Sequence, residues 1–227
     1  MAKDKDTSYA AGHRERLREK FLQHKLMDYE ILELLLTYAI PRRDVKPLAR
    51  QLMGKFQGAH QILGAPMEEL ERIDGIKRNT AIFIKAIFEI MLLDYKNYLA
   101  KTPIFHEYKM LEDYCKLMLS GKTVEEFHVL YLDADKRLIA DETHSSGTSD
   151  WAAIYPREIL KRGLATNANS VILVHNHPTN AAMFSTEDIN ATKELYSLLK
   201  SVNINLFDHL LVANGLVYSA KNMRLLD

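Results

Sequence analysis

The stretch VILVHNHPTNAAMFSTED, residues 171–188, gathers the side chains of this chain best suited to chemistry. His175 and His177 stand two apart. Ser185 and Asp188 follow once PTNAAMF has intervened. Positions i and i+2 of a strand face the same side. A strand continued to residue 177 therefore presents both imidazoles together and turns Asn176 away. Two imidazoles and a carboxylate make a three-ligand zinc site, whose fourth position stays open for water, the catalytic arrangement. Zinc makes such a water acidic enough to supply hydroxide near neutral pH. The same residues also suit a helix that needs no metal. Ser185 can cap the amide of residue 188, and Asp188 suits the positive end of the helix dipole. Residue types and spacing leave both readings open.

The elements around this stretch set what it can become. VILV reads as a buried strand, and STEDINATKELYSLLKSVN as a long helix. Before them, EEFHVLYLD and KRLIADETHSSG read as strands, and PREILKRGLAT as a helix. After them, INLFDHLLVA and GLVYS read as strands. This mixture predicts an α/β or α+β domain, with helices against a central sheet. Upstream, residues 13–99 read as helical throughout, with a split at Gly75. Pro103 marks a change of pattern. The expected organisation is a flexible tail over 1–12, an all-α domain over 13–100 and a mixed domain over 101–227.

Composition narrows the function classes. The chain has 227 residues, with 30 Lys/Arg against 30 Asp/Glu, so a uniformly basic nucleic-acid binder is not expected. Residues 1–100 hold 17 Lys/Arg against 14 Asp/Glu, which supports at most a local basic surface there. Cys115 is the one cysteine. It excludes an intramolecular disulfide, fits a reducing cytoplasm and sits in a helical pattern as a structural thiol. No stretch approaches the roughly 20 apolar residues of a membrane helix.

The spacing of His175, His177, Ser185 and Asp188 resembles the JAMM (MPN-plus) metalloprotease signature. HNHP, YPRE at 155–158, SSGT at 145–148 and FDHLLV at 207–212 are similar to the RadC family of DNA-repair proteins. HRERLREKF and ELERIDGIKRNT are similar to that family's N-terminal region, which contains a helix-hairpin-helix. The resemblance implies a JAMM/MPN-like, cytidine-deaminase-like mixed sheet flanked by helices. It implies zinc held by His175, His177 and Asp188, and Ser185 supporting a tetrahedral intermediate. It also implies a general base at the start of the first strand. Glu126 fits that place because it directly precedes the apolar Phe127, and Glu125 is its competitor. The implied substrate is a peptide or isopeptide-linked protein, with DNA a possible partner of the helical half.

Departures from the family pattern matter too. After HNHP the family usually carries a glycine and two prolines where this chain reads TNAAMF. Asn180 can take the left-handed turn a glycine would take. Met183 and Phe184 either pack into the domain or border the substrate. His209 is expected as a hydrogen-bonded supporting residue rather than a ligand. His144, Ser145, Ser146 and Thr148 could border the cleft. In the hairpin, Ile73-Asp74-Gly75-Ile76-Lys77, lysine stands where a second glycine is usual. Keeping the turn should force Lys77 into an unusual backbone conformation. Arg42, Arg43 and Arg78 could contact phosphates. Two functions follow: a zinc metallopeptidase, or a non-catalytic DNA-binding or protein-interaction accessory protein with a structural metal site.

Overall fold

The computed structural model describes residues 3–56, 58–119, 121–146, 155–179 and 181–225. The chain divides into two compact units, one running to Glu89 and the other from Ile90.

The first unit is helical: α1 (Lys3–Leu22), α2 (Asp28–Ala39), α3 (Lys46–Phe56), α4 (Ala59–Gly64), α5 (Met67–Glu71) and the start of α6 (Arg78–Lys101). α1 begins at Lys3, within the stretch expected as a tail. Lys3, Lys5, Ala10 and Ala11 favour helix there, and Leu17, further along α1, is buried. Leu36, Leu48, Leu52, Ile62, Leu70 and Ile84 build this unit's core. The turn between α5 and α6 has Gly75 at φ 91°. The Arg43 guanidinium lies 2.8 Å from where a Cβ on Gly75 would stand. Lys77 does not need the strained backbone expected of it. It is absent from the positive-φ residues, and its carbonyl accepts from Thr80 and Ala81 as α6 begins. Gly75 alone supplies the left-handed step that the hairpin requires.

The second unit holds α7 (Tyr108–Leu119), β1 (Glu126–Leu132), β2 (Leu138–Ser146), α8 (Pro156–Ala165), β3 (Ser170–Asn176), α9 (Thr186–Ser201), β4 (Asn205–Ala213) and β5 (Leu216–Ser219). The sheet order is β2-β1-β3-β4-β5. Only the β3–β4 pair is parallel, joined through α9; the other pairs are antiparallel. β3 is buried on both faces, which is why VILV reads as an unbroken apolar run. One face packs Leu130, Leu132, Ile172, Val174, Leu210 and Val212 against α7. The other packs Phe127, Val129, Tyr131, Val171 and Leu173 against α8 and α9. This is the expected mixed α+β architecture. Cys115 is fully buried, and burial pushes its thiol pKa well up, so it is an inert core residue. Among the described residues, no helix is long and apolar enough to cross a membrane.

Candidate metal centre

The site forms where β3 ends and α9 begins. β3 stops at Asn176, but the chain stays on the sheet, because the His177 amide donates to the Val212 carbonyl at 3.2 Å. Strand alternation therefore carries through residue 177. The two histidines face together, with Nε2 to Nε2 at 3.1 Å. α9 starts with Ser185 as its cap. The Ser185 Oγ accepts from the Asp188 amide at 3.0 Å. The Ser185 amide and hydroxyl each donate to Asp188 Oδ2 at 2.7 Å. The capping arrangement and the site thus share residues: the bonds that start the helix also aim the Asp188 carboxylate at the histidines. Asp188 Oδ2 lies 3.5 Å from His175 Nε2 and 3.4 Å from His177 Nε2.

These three distances test the fit to zinc. Ligands held tetrahedrally at about 2.0–2.1 Å from zinc stand about 3.3 Å from one another. The triangle of 3.1, 3.4 and 3.5 Å has those edges. Among the described residues it is the one cluster of His, Cys, Asp or Glu side chains that could hold an ion. The second ring nitrogen of His177 also fits. Its Nδ1 lies 2.9 Å from the Ala181 carbonyl, which can only accept, so Nδ1 carries hydrogen. Nε2 keeps its lone pair for a metal.

Burial alone would push the Asp188 pKa up. With both imidazoles protonated, bonds from His175, His177 and Ser185 and the charge of His175 outweigh it and hold the carboxyl well below its ordinary range. The bond to Asp188 raises the His177 pKa in turn; a metal would take the place of those imidazole protons.

Glu126 does not join this cluster, contrary to the expectation from sequence. Phe127 is the cross-strand partner of His175, so those two side chains share a face and Glu126 takes the opposite one. The Glu126 carboxylate is bound to Lys122 at 2.9 Å and to His128 at 3.2 Å. Glu125 lies just before β1, and its charge helps to raise the His177 pKa. Asn176 fixes the local backbone. Its side-chain oxygen accepts from the Glu126 amide at 2.9 Å, and its side-chain nitrogen donates to the Val124 carbonyl at 3.0 Å. Those two bonds bracket Glu125.

Glu126 belongs to a buried charge network instead. His128 sits between Glu126 Oε2 and Asp141 Oδ1, each at 3.2 Å. Asp141 also meets the Tyr114 hydroxyl and Lys96 Nζ, the latter at 3.1 Å. Burial works against both charges. Bonds from His128 and Tyr114 nevertheless hold the Asp141 carboxyl down to about 2, from an ordinary 3.8. Bonds to Asp141 and Glu126 raise His128 above its ordinary 6.5. The linkage follows from these directions. The lowered Asp141 stabilises above pH 3.8 and loses that contribution as pH falls toward 2. The raised His128 stabilises below pH 6.5 and loses its contribution as pH rises through its folded value. Urea unfolding across pH should therefore give greatest stability between those limits. Asp141→Asn should remove the Asp141 contribution and weaken the His128 one. An unchanged pH profile in that variant would overturn this assignment.

The remaining candidates sort clearly. Phe184 is 8% exposed and packs edge-on against His175 at 5.7 Å between ring centroids, so it belongs to the domain. Met183, one residue earlier, is 72% exposed. His144 Nε2 lies 2.9 Å from the Tyr131 hydroxyl, and burial lowers its pKa. Ser145 and Ser146 lie in β2; Thr148 and Asn180 lie outside the described residues. His209 is 1% exposed, behind His175, with Nε2 2.8 Å from His175 Nδ1. Burial drives its pKa well down. The sequence pattern gave no signal for Thr192, whose hydroxyl reaches His209 Nδ1 at 2.6 Å.

Comparison with known proteins agrees with this architecture. Residues 105–225 match the RadC-like JAB domain, and residues 10–82 match the UPF0758 N-terminal family. A UPF0758 protein of Fusobacterium nucleatum is 36% identical over 218 residues, covering 92% of this chain and 94% of that protein. The chain belongs to the family of proteins that join a UPF0758 N-terminal region to a RadC-like JAB domain.

Proposed function

We propose that this chain is a zinc metallopeptidase of JAMM type that hydrolyses peptide or isopeptide bonds. The observation that carries the reading is the His175–His177–Asp188 triangle, whose edges fit one tetrahedral zinc. Zinc bound there would act as a Lewis acid and acidify a water. Glu125 takes a proton from the attacking water and hands it to the leaving nitrogen. The sequence reading gave that role to Glu126; its bonds to Lys122 and His128 support moving it to Glu125. The Ser185 hydroxyl donates to Asp188. Turning that hydrogen toward the carbonyl oxygen would stabilise the charge that develops there. The single buried Cys115 suits a reducing compartment such as the cytoplasm.

A second reading draws on the helical unit. Arg42, Arg43, Arg72, Lys77 and Arg78 are exposed, and Arg43 packs on Gly75 of the hairpin. Such a turn can meet a phosphate backbone through amides and neighbouring cations. In that reading the chain is a DNA-associated protein, and its link to repair follows.

One experiment separates the readings. Zinc-loaded chain is screened against peptide and isopeptide-linked substrates, and its binding to duplex DNA is followed across salt concentration. The peptidase reading expects cleavage that a chelator abolishes and added zinc restores. A folded, zinc-loaded chain that cleaves nothing, yet binds duplex with steep salt dependence, overturns it in favour of the second.

A further inference from the structure

We infer that Thr192 and His209 form a relay that fixes the tautomer of His175, so that its Nε2 meets the metal with a free lone pair. The inference rests on the metal reading of the site above. Hydrogen-bond directions carry it. The Asp188 carbonyl oxygen can only accept, so the Thr192 hydroxyl beside it donates its single hydrogen there. Thr192 Oγ1 also lies 2.6 Å from His209 Nδ1. With its hydrogen already committed, that oxygen accepts, so His209 Nδ1 carries hydrogen.

The other nitrogen of His209 follows from its surroundings. The ring is enclosed, edge-on to Phe127 at 6.0 Å and to Phe184 at 5.1 Å between centroids. Among the described residues, no carboxylate hydrogen-bonds the ring, and its enclosure by aromatic side chains disfavours an imidazolium there. His209 is therefore neutral, and its Nε2 accepts. His175 Nδ1, 2.8 Å away, donates to it. That leaves His175 Nε2 without hydrogen, and Nε2 is the nitrogen facing His177 and Asp188.

Both histidine ligands thus end in the same tautomer by different means. A backbone carbonyl, that of Ala181, sets His177. The relay sets His175 and ends on the backbone of Asp188, itself a ligand. A metal-bound histidine usually donates its other N–H to a carboxylate, carbonyl or water. Here a neutral histidine does that work, and the hydroxyl behind it decides which way it faces. The relay also ties β3, β4 and α9 together behind the site, because its members come one from each. His209 and Thr192 are positioning residues; neither touches the metal position.

The test measures zinc dissociation constants by chelator competition on the full chain, stripped and reloaded. Thr192→Val keeps the shape and removes the hydroxyl. His209→Leu removes both ring nitrogens. Each should weaken zinc binding about 10–100-fold, with the unfolding midpoint of the metal-free chain recorded alongside. His209→Gln keeps a donor for Thr192 and an acceptor for His175, and should recover most of the affinity. Folded variants that bind zinc as tightly as the native chain overturn the relay. Ring-nitrogen NMR of the native chain gives a second readout that does not depend on variant folding. Hydrogen on Nδ1 of His209 supports the relay, and hydrogen on its Nε2 overturns it. A native chain that takes up no zinc, with His209 still protonated on Nδ1, overturns the metal reading and leaves the hydrogen-bond chain standing.

Discussion

Glu125→Gln is expected to lower the rate of amide hydrolysis by about 10²–10⁴-fold, the usual contribution of a positioned general base. Metal content should not change, because Glu125 is not among the three ligands. Glu126→Gln should leave the rate within a few-fold of native. Glu126 spends its carboxylate on Lys122 and His128, on the far face of the sheet. What orders the site is its backbone amide, bound to Asn176, and a side-chain substitution leaves that bond in place. The comparison is sharp because the two glutamates are adjacent, and Glu126 is the one bound to Lys122 and His128. Steady-state kinetics on both variants, beside zinc content, reads it out. A large loss in Glu126→Gln with a native rate in Glu125→Gln would reverse the assignment.

Asp188→Ala has the other large expected effect. It removes one of three ligands and the acceptor for two Ser185 donors. Zinc affinity should fall by more than the roughly 10–100-fold that losing an outer partner costs. The start of α9 should also weaken, because the Ser185 amide loses its capping-box acceptor. Ser185→Ala separates the two contributions. It removes the cap hydroxyl yet leaves all three ligands, so stability should drop while zinc stays bound more tightly than in Asp188→Ala. Calorimetric unfolding and chelator competition on both variants check this. Equal zinc affinity in the two would mean that Asp188 acts only as a helix-starting residue.

Much of this site could be read in the sequence because its parts are local. His175 and His177 share a face through strand alternation, and Ser185 and Asp188 meet through the first turn of one helix. Those periodicities need no knowledge of the rest of the fold. The strands and helices of the second unit follow from the same patterns. The choice between Glu125 and Glu126 is different. Which side of the sheet Glu126 takes relative to the candidate metal triangle depends on Phe127 pairing with His175, 48 positions along the chain. A composition rule cannot supply that register. The Thr192–His209 relay was hidden for the same reason: its bonds join α9 to β4 and β4 to β3. Lys77 shows the converse. The sequence implied a strained lysine, but the positive φ falls on Gly75, and Lys77 opens α6 with an ordinary backbone.

The proposed function stands on a catalytic zinc held by His175, His177 and Asp188. The most direct measurement is the zinc content of the native chain purified without chelator, beside His177→Ala. The account predicts about one zinc per native chain and little or none in the variant, which loses the nitrogen that completes the triangle. A native chain that holds no zinc, even after incubation with it, would contradict the account.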